Sequence, residues 1–367
     1  MIGQKTMAPR SSRSTRLGNL TLFAVTVVVF LGLLEVGLRA MDLGYGQAPL
    51  VFDQTVHHRH PTDYRFRRRD EGYGEFSGFQ VEYDSLGRTI DPDHQIILDP
   101  ARHKRTIAVL GDSMVAASQV PYRDSFIGLL NQRAAKDVFA INWGVPTYSP
   151  VLMRVQWQKD VARTKPELVL LMLYSNDVLD DSVYIKSATL DADGLPVAVA
   201  GPPDNFIVRA LRNIYVARLM RTACLTLDFL LVPQRDERTR TMGPVGGFIE
   251  LSPEMSPLTD KVLRAIVTEV RATGARIVIT AIPSKYVIMS GDHSKADQQW
   301  AMNVKRWTEA NGVDYIDLWP AFAEYAAKRR ENEPKPFFFY DIHPNETGHK
   351  LIADTIARAL PDYFPPK

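Results

Sequence analysis

The chain has 367 residues, of which 45% are hydrophobic and 23% are charged, so it holds enough apolar material for one large domain or two smaller ones and is not a disordered protein. Its net charge of +2, from 44 basic and 42 acidic residues, gives no general reason to expect nucleic acid as a partner. The single cysteine, Cys224, excludes an internal disulfide and a thiolate-rich zinc site, and we expect neither a metal nor a cofactor.

The N-terminus carries a membrane-entry signal. Residues 1–16 contain four basic and no acidic residues, and they lead into a run without charge, Leu17 to Leu34. Eighteen helical residues span roughly 27 Å, close to the thickness of a hydrocarbon core. We interpret residues 17–38 as a retained transmembrane signal anchor, with residues 1–16 as a cytoplasmic tail and the rest of the chain outside the membrane, which is the periplasmic side in a Gram-negative cell. The alternative is a signal peptide cleaved near Ala40.

Residues 39–104 are rich in Gly, Pro, Asp, Arg and His, and we predict a linker followed by an edge hairpin. The hairpin is indicated by an extended piece at 78–83 before the turn at 84–87. Three histidines in this segment, His57, His58 and His60, stand at no spacing typical of a metal site. With the neighbouring arginines they favour a solvated basic patch facing anionic headgroups or an anionic glycan.

From Arg105 apolar strands alternate with amphipathic helical stretches, a pattern typical of a βαβ sheet covered on both faces. The predicted strands are 106–110, 138–142, 168–174, 276–282 and 314–318. The predicted helices are 123–135, 150–163, 258–273, 296–311, 320–330 and 345–360. These elements predict a flavodoxin-like three-layer α/β/α sandwich around a five-stranded parallel sheet over residues 105–365.

Small polar residues follow three of these strands, at the sheet edge where open α/β sheets place their chemistry. Ser113 follows the first strand within Gly111-Asp112-Ser113 and is a candidate nucleophile. Gly144 follows the second strand, and Asn176 follows the third. Backbone N–H groups at Ser113 and Gly144, with the Asn176 amide, are candidate donors to an oxyanion.

A candidate base lies near the other end of the chain, in Asp341-Ile342-His343-Pro344. Residues two apart in an extended segment point the same way, so Asp341 can orient one imidazole nitrogen of His343 while the other nitrogen faces Ser113. Pro344 then leads into the last helix and holds the segment in place.

These four blocks, in this order, resemble the SGNH hydrolase superfamily, also called GDSL-type esterases and lipases. The name-giving residues match Ser113, Gly144, Asn176 and His343, and the resemblance covers residues 105–182 and 258–360. It implies a serine hydrolase that acts on an ester or thioester through an acyl-enzyme. The sequence around Ser113 is not G-x-S-x-G, which disfavours a conventional α/β-hydrolase elbow.

The chain departs from the family pattern in three places. Asp341 and His343 form D-x-H, one residue shorter than the usual D-x-x-H, and Asp341 remains the natural orienting acid. Thr147 stands where many members have Gly, and Ser175 replaces the Gly that often precedes Asn176. We interpret Asp112 as a residue that shapes the loop beside Ser113, and Asp177 as one that orders the loop around the Asn176 amide.

Between residues 178 and 257 the strand–helix alternation stops, and we predict an inserted cap or membrane-resting surface there, or a packing insertion with no substrate role. It includes an apolar-basic run over 206–231, whose arginines disfavour a second membrane span. For an anchored hydrolase that faces outward, we predict an O-acyl (for instance O-acetyl) ester of a cell-envelope glycan or lipid as the substrate. The alternatives are an O-acyltransferase that uses the same residues and a catalytically silent envelope assembly protein. The sequence does not predict the oligomeric state.

Overall fold

The computed structural model describes residues 12–41, 50–68, 75, 78–203, 214–217, 219–220, 254–290, 296–339 and 341–366. The chain divides into two compact units. The first comprises residues 1–46 and 205–231, and the second comprises residues 47–204 and 232–367.

The first unit contains helix α1 (Ser12–Ala40). Its stretch Leu17–Ala40 has a mean hydropathy of 2.3 and exposed side chains, so it is long and apolar enough to cross a membrane or to serve as a signal sequence. Glu35 forms an ion pair with Arg39 at 2.6 Å and also accepts the backbone N–H groups of Tyr215 and Val216 at 3.0 and 2.9 Å. The tail up to residue 11 and most of the run predicted over 206–231 lie outside the described residues.

The strands of the second unit are β1 (Val51–Asp53), β2 (His57–Arg59), β3 (Tyr64–Arg68), β4 (Phe79–Tyr83), β5 (Thr89–Ile90), β6 (Arg105–Leu110), β7 (Val138–Asn142), β8 (Leu168–Leu173), β9 (Ala188–Leu190), β10 (Pro196–Val199), β11 (Arg276–Ala281) and β12 (Asp314–Tyr315). Its helices are α2 (Ser113–Ala116), α3 (Phe126–Asn131), α4 (Pro150–Gln156), α5 (Asp177–Tyr184), α6 (Pro257–Ala272), α7 (Lys285–Ser290), α8 (Ala296–Ala310), α9 (Trp319–Lys328) and α10 (Glu346–Ala359).

The main sheet has the strand order β12-β11-β8-β6-β7-β5-β4-β3. Its first five strands are parallel. When these strands are numbered 1 to 5 by their order in the chain and read across the sheet from β7 to β12, their order is 2-1-3-4-5, which is the flavodoxin-like arrangement. The predicted fold class is therefore confirmed. Strands β5, β4 and β3 extend the sheet beyond the five predicted strands through antiparallel pairs.

Alternation along the central strands produces the three layers. In β6, Ile107 and Val109 face one core, while Ala108 and Leu110 face the other. Helices α4, α6 and α8 cover the Ala108 face, and α3, α9 and α10 cover the Ile107 face. Because both faces of the sheet are buried, only the ends of its strands are left for polar chemistry.

The expectation of a solvated basic patch is wrong for part of the segment before β6. His58 and His60 are buried, with 4% and 1% of their surface exposed, and Arg68 at the end of β3 is 5% exposed. His60 stacks on Tyr83 with ring centroids 4.1 Å apart. His58 and His60 each bond a backbone carbonyl within the fold, that of Pro146 and that of Gly87, and local charge alone does not predict this burial.

Candidate active site

Ser113 begins helix α2 directly after β6. The Asp112 side chain caps this helix by accepting the Met114 N–H at 2.9 Å. Ser113 itself is half-buried, and no acceptor among the described residues receives its backbone N–H. The first N–H groups of a helix have no partner within the helix, so they can donate to a negative charge at the helix start.

The structure brings Ser113 and His343 together across 230 residues of sequence: Oγ of the serine lies 2.8 Å from Nε2 of the histidine. Nδ1 of His343 is hydrogen-bonded to Oδ1 of Asp341, and the same oxygen accepts the His343 backbone N–H at 2.7 Å. The shortened D-x-H spacing therefore brings a carboxylate onto the ring, because one oxygen serves two donors of the same histidine.

The segment that carries Asp341 is held from both sides. Glu75 accepts the backbone N–H groups of Phe339 and Asp341, the latter at 3.1 Å. Lys285, at the start of α7, donates to the carbonyls of the same two residues at 2.5 and 3.2 Å. Neither Glu75 nor Lys285 follows from a local sequence signal, since each meets backbone groups far away in the chain.

Electrostatics favour a charged carboxylate beside the imidazole. Burial raises the pKa of Asp341, but its attraction to His343 and the hydrogen bonds from that residue outweigh burial and lower the pKa to about 2. Burial lowers the pKa of His343, but the charge of Asp341 outweighs it, so the pKa lies above the ordinary 6.5. The pair is therefore a carboxylate that stabilises the protonated form of its histidine.

Gly144 lies where a side chain would not fit. A Cβ at this position would stand 2.4 Å from the backbone nitrogen of Ala116 and 2.6 Å from the carbonyl carbon of Val115. Its N–H donates to Oδ1 of Asn142 at 2.9 Å. The glycine thus lets the loop after β7 pack against α2, and its N–H is engaged elsewhere than at an oxyanion.

The next four residues form a tight turn that sequence reasoning did not anticipate. The Val145 N–H donates to the carbonyl of Gly111 at 3.1 Å, so the turn begins beside the strand end that carries Ser113. The Tyr148 N–H donates to the Val145 carbonyl at 3.1 Å and closes a four-residue turn. Pro146 occupies the second position of this turn, and Thr147 occupies the third with a φ of +65°. A proline at the second position and a positive φ at the third position are typical of a type II turn, whose third position favours Gly. A β-branched residue there costs of order 1–3 kcal/mol.

Asn176 follows β8, the sheet neighbour of β6, and its Nδ2 donates to Oδ2 of Asp180 at 2.7 Å. Asp177 accepts the Tyr174 N–H at 3.1 Å, which links the two ends of the loop that contains Asn176. Burial raises the pKa of Asp177, and it raises that of Asp180 to about 8 and that of Asp112 as well. At neutral pH Asp180 is therefore largely the uncharged acid.

Comparison with known proteins gives one family match and several structural similarities. A model of the GDSL-like lipase/acylhydrolase family matches residues 109–351. The fold is similar to an alpha/beta hydrolase enzyme from the metagenome of Lake Arreo, Spain, at 18% identity and a TM-score of 0.42 over 70% of this chain and 95% of that one. An acetylxylan esterase from Geobacillus stearothermophilus, solved as a catalytic mutant, is similar at 14% identity and a TM-score of 0.41, over 70% of this chain and 94% of that one. A member of the lipolytic G-D-S-L family from Veillonella parvula is similar at 16% identity and a TM-score of 0.40, over 69% of this chain and 97% of that one. No curated protein matches the chain.

Proposed function

The chain belongs to the GDSL-like lipase/acylhydrolase family, and we propose that it hydrolyses an O-acyl ester of a cell-envelope glycan or lipid through an acyl-enzyme on Ser113. The observation that carries the proposal is the continuous contact from Ser113 Oγ to His343 Nε2 and from His343 Nδ1 to Asp341. An isolated serine hydroxyl is a weak nucleophile, and this contact supplies the base and its orienting acid.

In the first half of the reaction, Ser113 Oγ attacks the ester carbonyl carbon while His343 Nε2 takes the hydroxyl proton. The tetrahedral intermediate collapses, its C–O bond to the alcohol breaks, and His343 returns the proton to the leaving oxygen. Water then attacks the acyl-serine with His343 again as base, which releases the acid and restores Ser113. Asp341 stabilises the imidazolium that forms in both halves.

The oxyanion formed in each half needs hydrogen-bond donors. The uncommitted N–H of Ser113 and the second hydrogen of the Asn176 amide serve as two of them in this proposal. Gly144, our expected third donor, gives its N–H to Asn142, so we assign the third role to the N–H of Thr147 instead. No acceptor among the described residues receives that N–H.

The N-terminal helix supports an envelope substrate. With α1 across the membrane and the basic residues before it on the cytoplasmic side, the second unit faces outward, where acylated glycans and lipids lie. The positively charged flank, Lys5, Arg10, Arg13 and Arg16, supports this direction of insertion.

The test uses the full chain in detergent, with short-chain p-nitrophenyl esters, acetylated glycans and a fluorescent fluorophosphonate. We expect turnover and labelling of wild type, no labelling of Ser113→Ala, and a loss of several orders of magnitude in His343→Ala. A wild-type chain that is folded yet neither labelled nor active would show a silent assembly protein. Labelling with slow hydrolysis that accelerates on addition of a glycan acceptor, with acyl transfer to it, would show an acyltransferase.

A further inference from the structure

His58 makes a contact to the active-site turn that the family resemblance does not contain. It lies on β2, outside the matched residues 109–351, and is 88 residues from the atom it binds. Its Nε2 stands 2.8 Å from the carbonyl oxygen of Pro146. A carbonyl can only accept, so Nε2 carries the hydrogen and donates.

The surroundings of the other ring nitrogen agree with this tautomer. Nδ1 of His58 lies 2.8 Å from Nδ1 of His57, and burial lowers the pKa of His58 to about 4, so the ring is neutral. With its hydrogen on Nε2, Nδ1 accepts from His57. The carbonyl of His58 also accepts the hydroxyl of Tyr148 at 2.6 Å, so the last residue of the turn holds the backbone of β2 in place.

The bonded carbonyl belongs to the Pro146–Thr147 peptide, the central peptide of the type II turn. In a planar trans peptide the C=O and N–H groups point in opposite directions, so a bond that fixes the Pro146 oxygen also fixes the direction of the Thr147 N–H. Thr147 disfavours this conformation, and its Oγ1 is held by Tyr184 Oη at 2.8 Å and lies 3.3 Å from His58 Nε2. A strained peptide needs such restraint to keep one orientation.

We propose that His58 is a positioning residue of the reaction: by donating to the Pro146 carbonyl it holds the Thr147 N–H in the direction required to bind the oxyanion. This inference rests on the proposed function, because it assumes attack by Ser113. In this proposal the segment before β6 takes part in binding the transition state, in addition to supplying the edge strands β3, β4 and β5 of the main sheet.

The experiment compares three substitutions in the full chain. Gln in His58→Gln places an amide N–H near the position of Nε2, Asn in His58→Asn reaches only as far as Nδ1, and Leu in His58→Leu removes both contacts. Active sites are counted by exhaustive fluorophosphonate labelling, and kcat and KM for p-nitrophenyl acetate are measured per labelled site. Thermal melting reports folding.

We expect His58→Gln to stay within about fivefold of the wild-type kcat, and His58→Asn and His58→Leu to lose about 10- to 100-fold in kcat with KM nearly unchanged. His60→Asn is the matched control, a buried histidine of the same segment whose Nδ1 bonds the carbonyl of Gly87 instead. It should melt earlier and keep its kcat per labelled site.

Equal kcat in the Asn and Gln variants would overturn the inference, as would a loss confined to melting temperature. If His58→Leu does not fold, the comparison of Asn with Gln decides alone. Turnover retained in Ser113→Ala would instead refute the proposed function, so the two failures are distinct.

Discussion

Replacing Asp341 by Asn removes the negative charge at His343 while keeping an oxygen that can accept. The magnitude follows from the pKa of Asp341, which lies at about 2 against an ordinary 3.8. That difference corresponds to about 2–3 kcal/mol, or roughly 60-fold, of preference for the carboxylate beside His343. Oδ1 accepts both the backbone N–H and the ring Nδ1–H of His343, so we expect the amide oxygen to stay there and to preserve the tautomer.

Asp341→Asn is therefore expected to lower kcat/KM by about 30- to 100-fold at the pH optimum. His343 must be neutral to accept the serine proton, so wild-type activity rises with pH through a pKa above 6.5. Without the carboxylate, burial dominates and lowers the pKa of His343, so the acid limb of the variant moves to lower pH. Asp341→Ala leaves both donors without an acceptor, and we expect it to lose more activity than Asn does.

The assay is the pH dependence of kcat/KM for p-nitrophenyl acetate between pH 4.5 and 9, corrected for labelled sites. Asp354→Asn is the control, since it removes a carboxylate of α10 that pairs with Lys350 at 2.6 Å and takes no part in the site. An unmoved acid limb or a loss below threefold in Asp341→Asn would refute the assigned role of the charge. A loss near 10⁴-fold would show that the amide turned and imposed the wrong tautomer.

Three further outcomes are expected. Gly144→Ala should destabilise the protein by about 1–3 kcal/mol and slow fluorophosphonate labelling, because its Cβ would meet the Ala116 nitrogen at 2.4 Å; an unchanged melting temperature would contradict the packing argument. The pKa of Asp180 rises from 3.8 in the unfolded chain to about 8 in the folded protein. Burying its charged form therefore lowers the free energy of unfolding, by nothing below pH 3.8 and by an amount that grows up to pH 8. Asp180→Asn should therefore stabilise the protein by about 1–3 kcal/mol at pH 8 and much less at pH 4, as measured by urea unfolding at both pH values. Finally, a retained anchor predicts that membrane-bound protein keeps residues 1–40, which mass spectrometry of the N-terminal peptide decides; a mature chain that begins after Ala40 would show a cleaved signal.

Hydrophobic periodicity was sufficient to predict most of the fold. The apolar runs at 138–142, 168–173 and 276–281 are strands within one residue of the prediction, because runs buried on both faces have few other solutions. Strand β12 ends after Tyr315, three residues before the expected end, and α3 covers only half of its predicted length. At these ends local hydrogen bonding and packing decide where an element stops.

The sequence by itself determined that Ser113 and Asn176 each follow a parallel strand, and a βαβ fold brings the carboxyl ends of such strands to the same end of the sheet. In the structure these two strands, β6 and β8, are neighbours. Only the tertiary structure decided what lies around them. Gly144 packs against α2 and gives its N–H to Asn142, Thr147 occupies a turn position typical of glycine, and His58 is buried against a carbonyl 88 residues away. Each depends on a contact between groups distant in the chain, and local composition carries no information about the partner that makes a strained or desolvated residue stable.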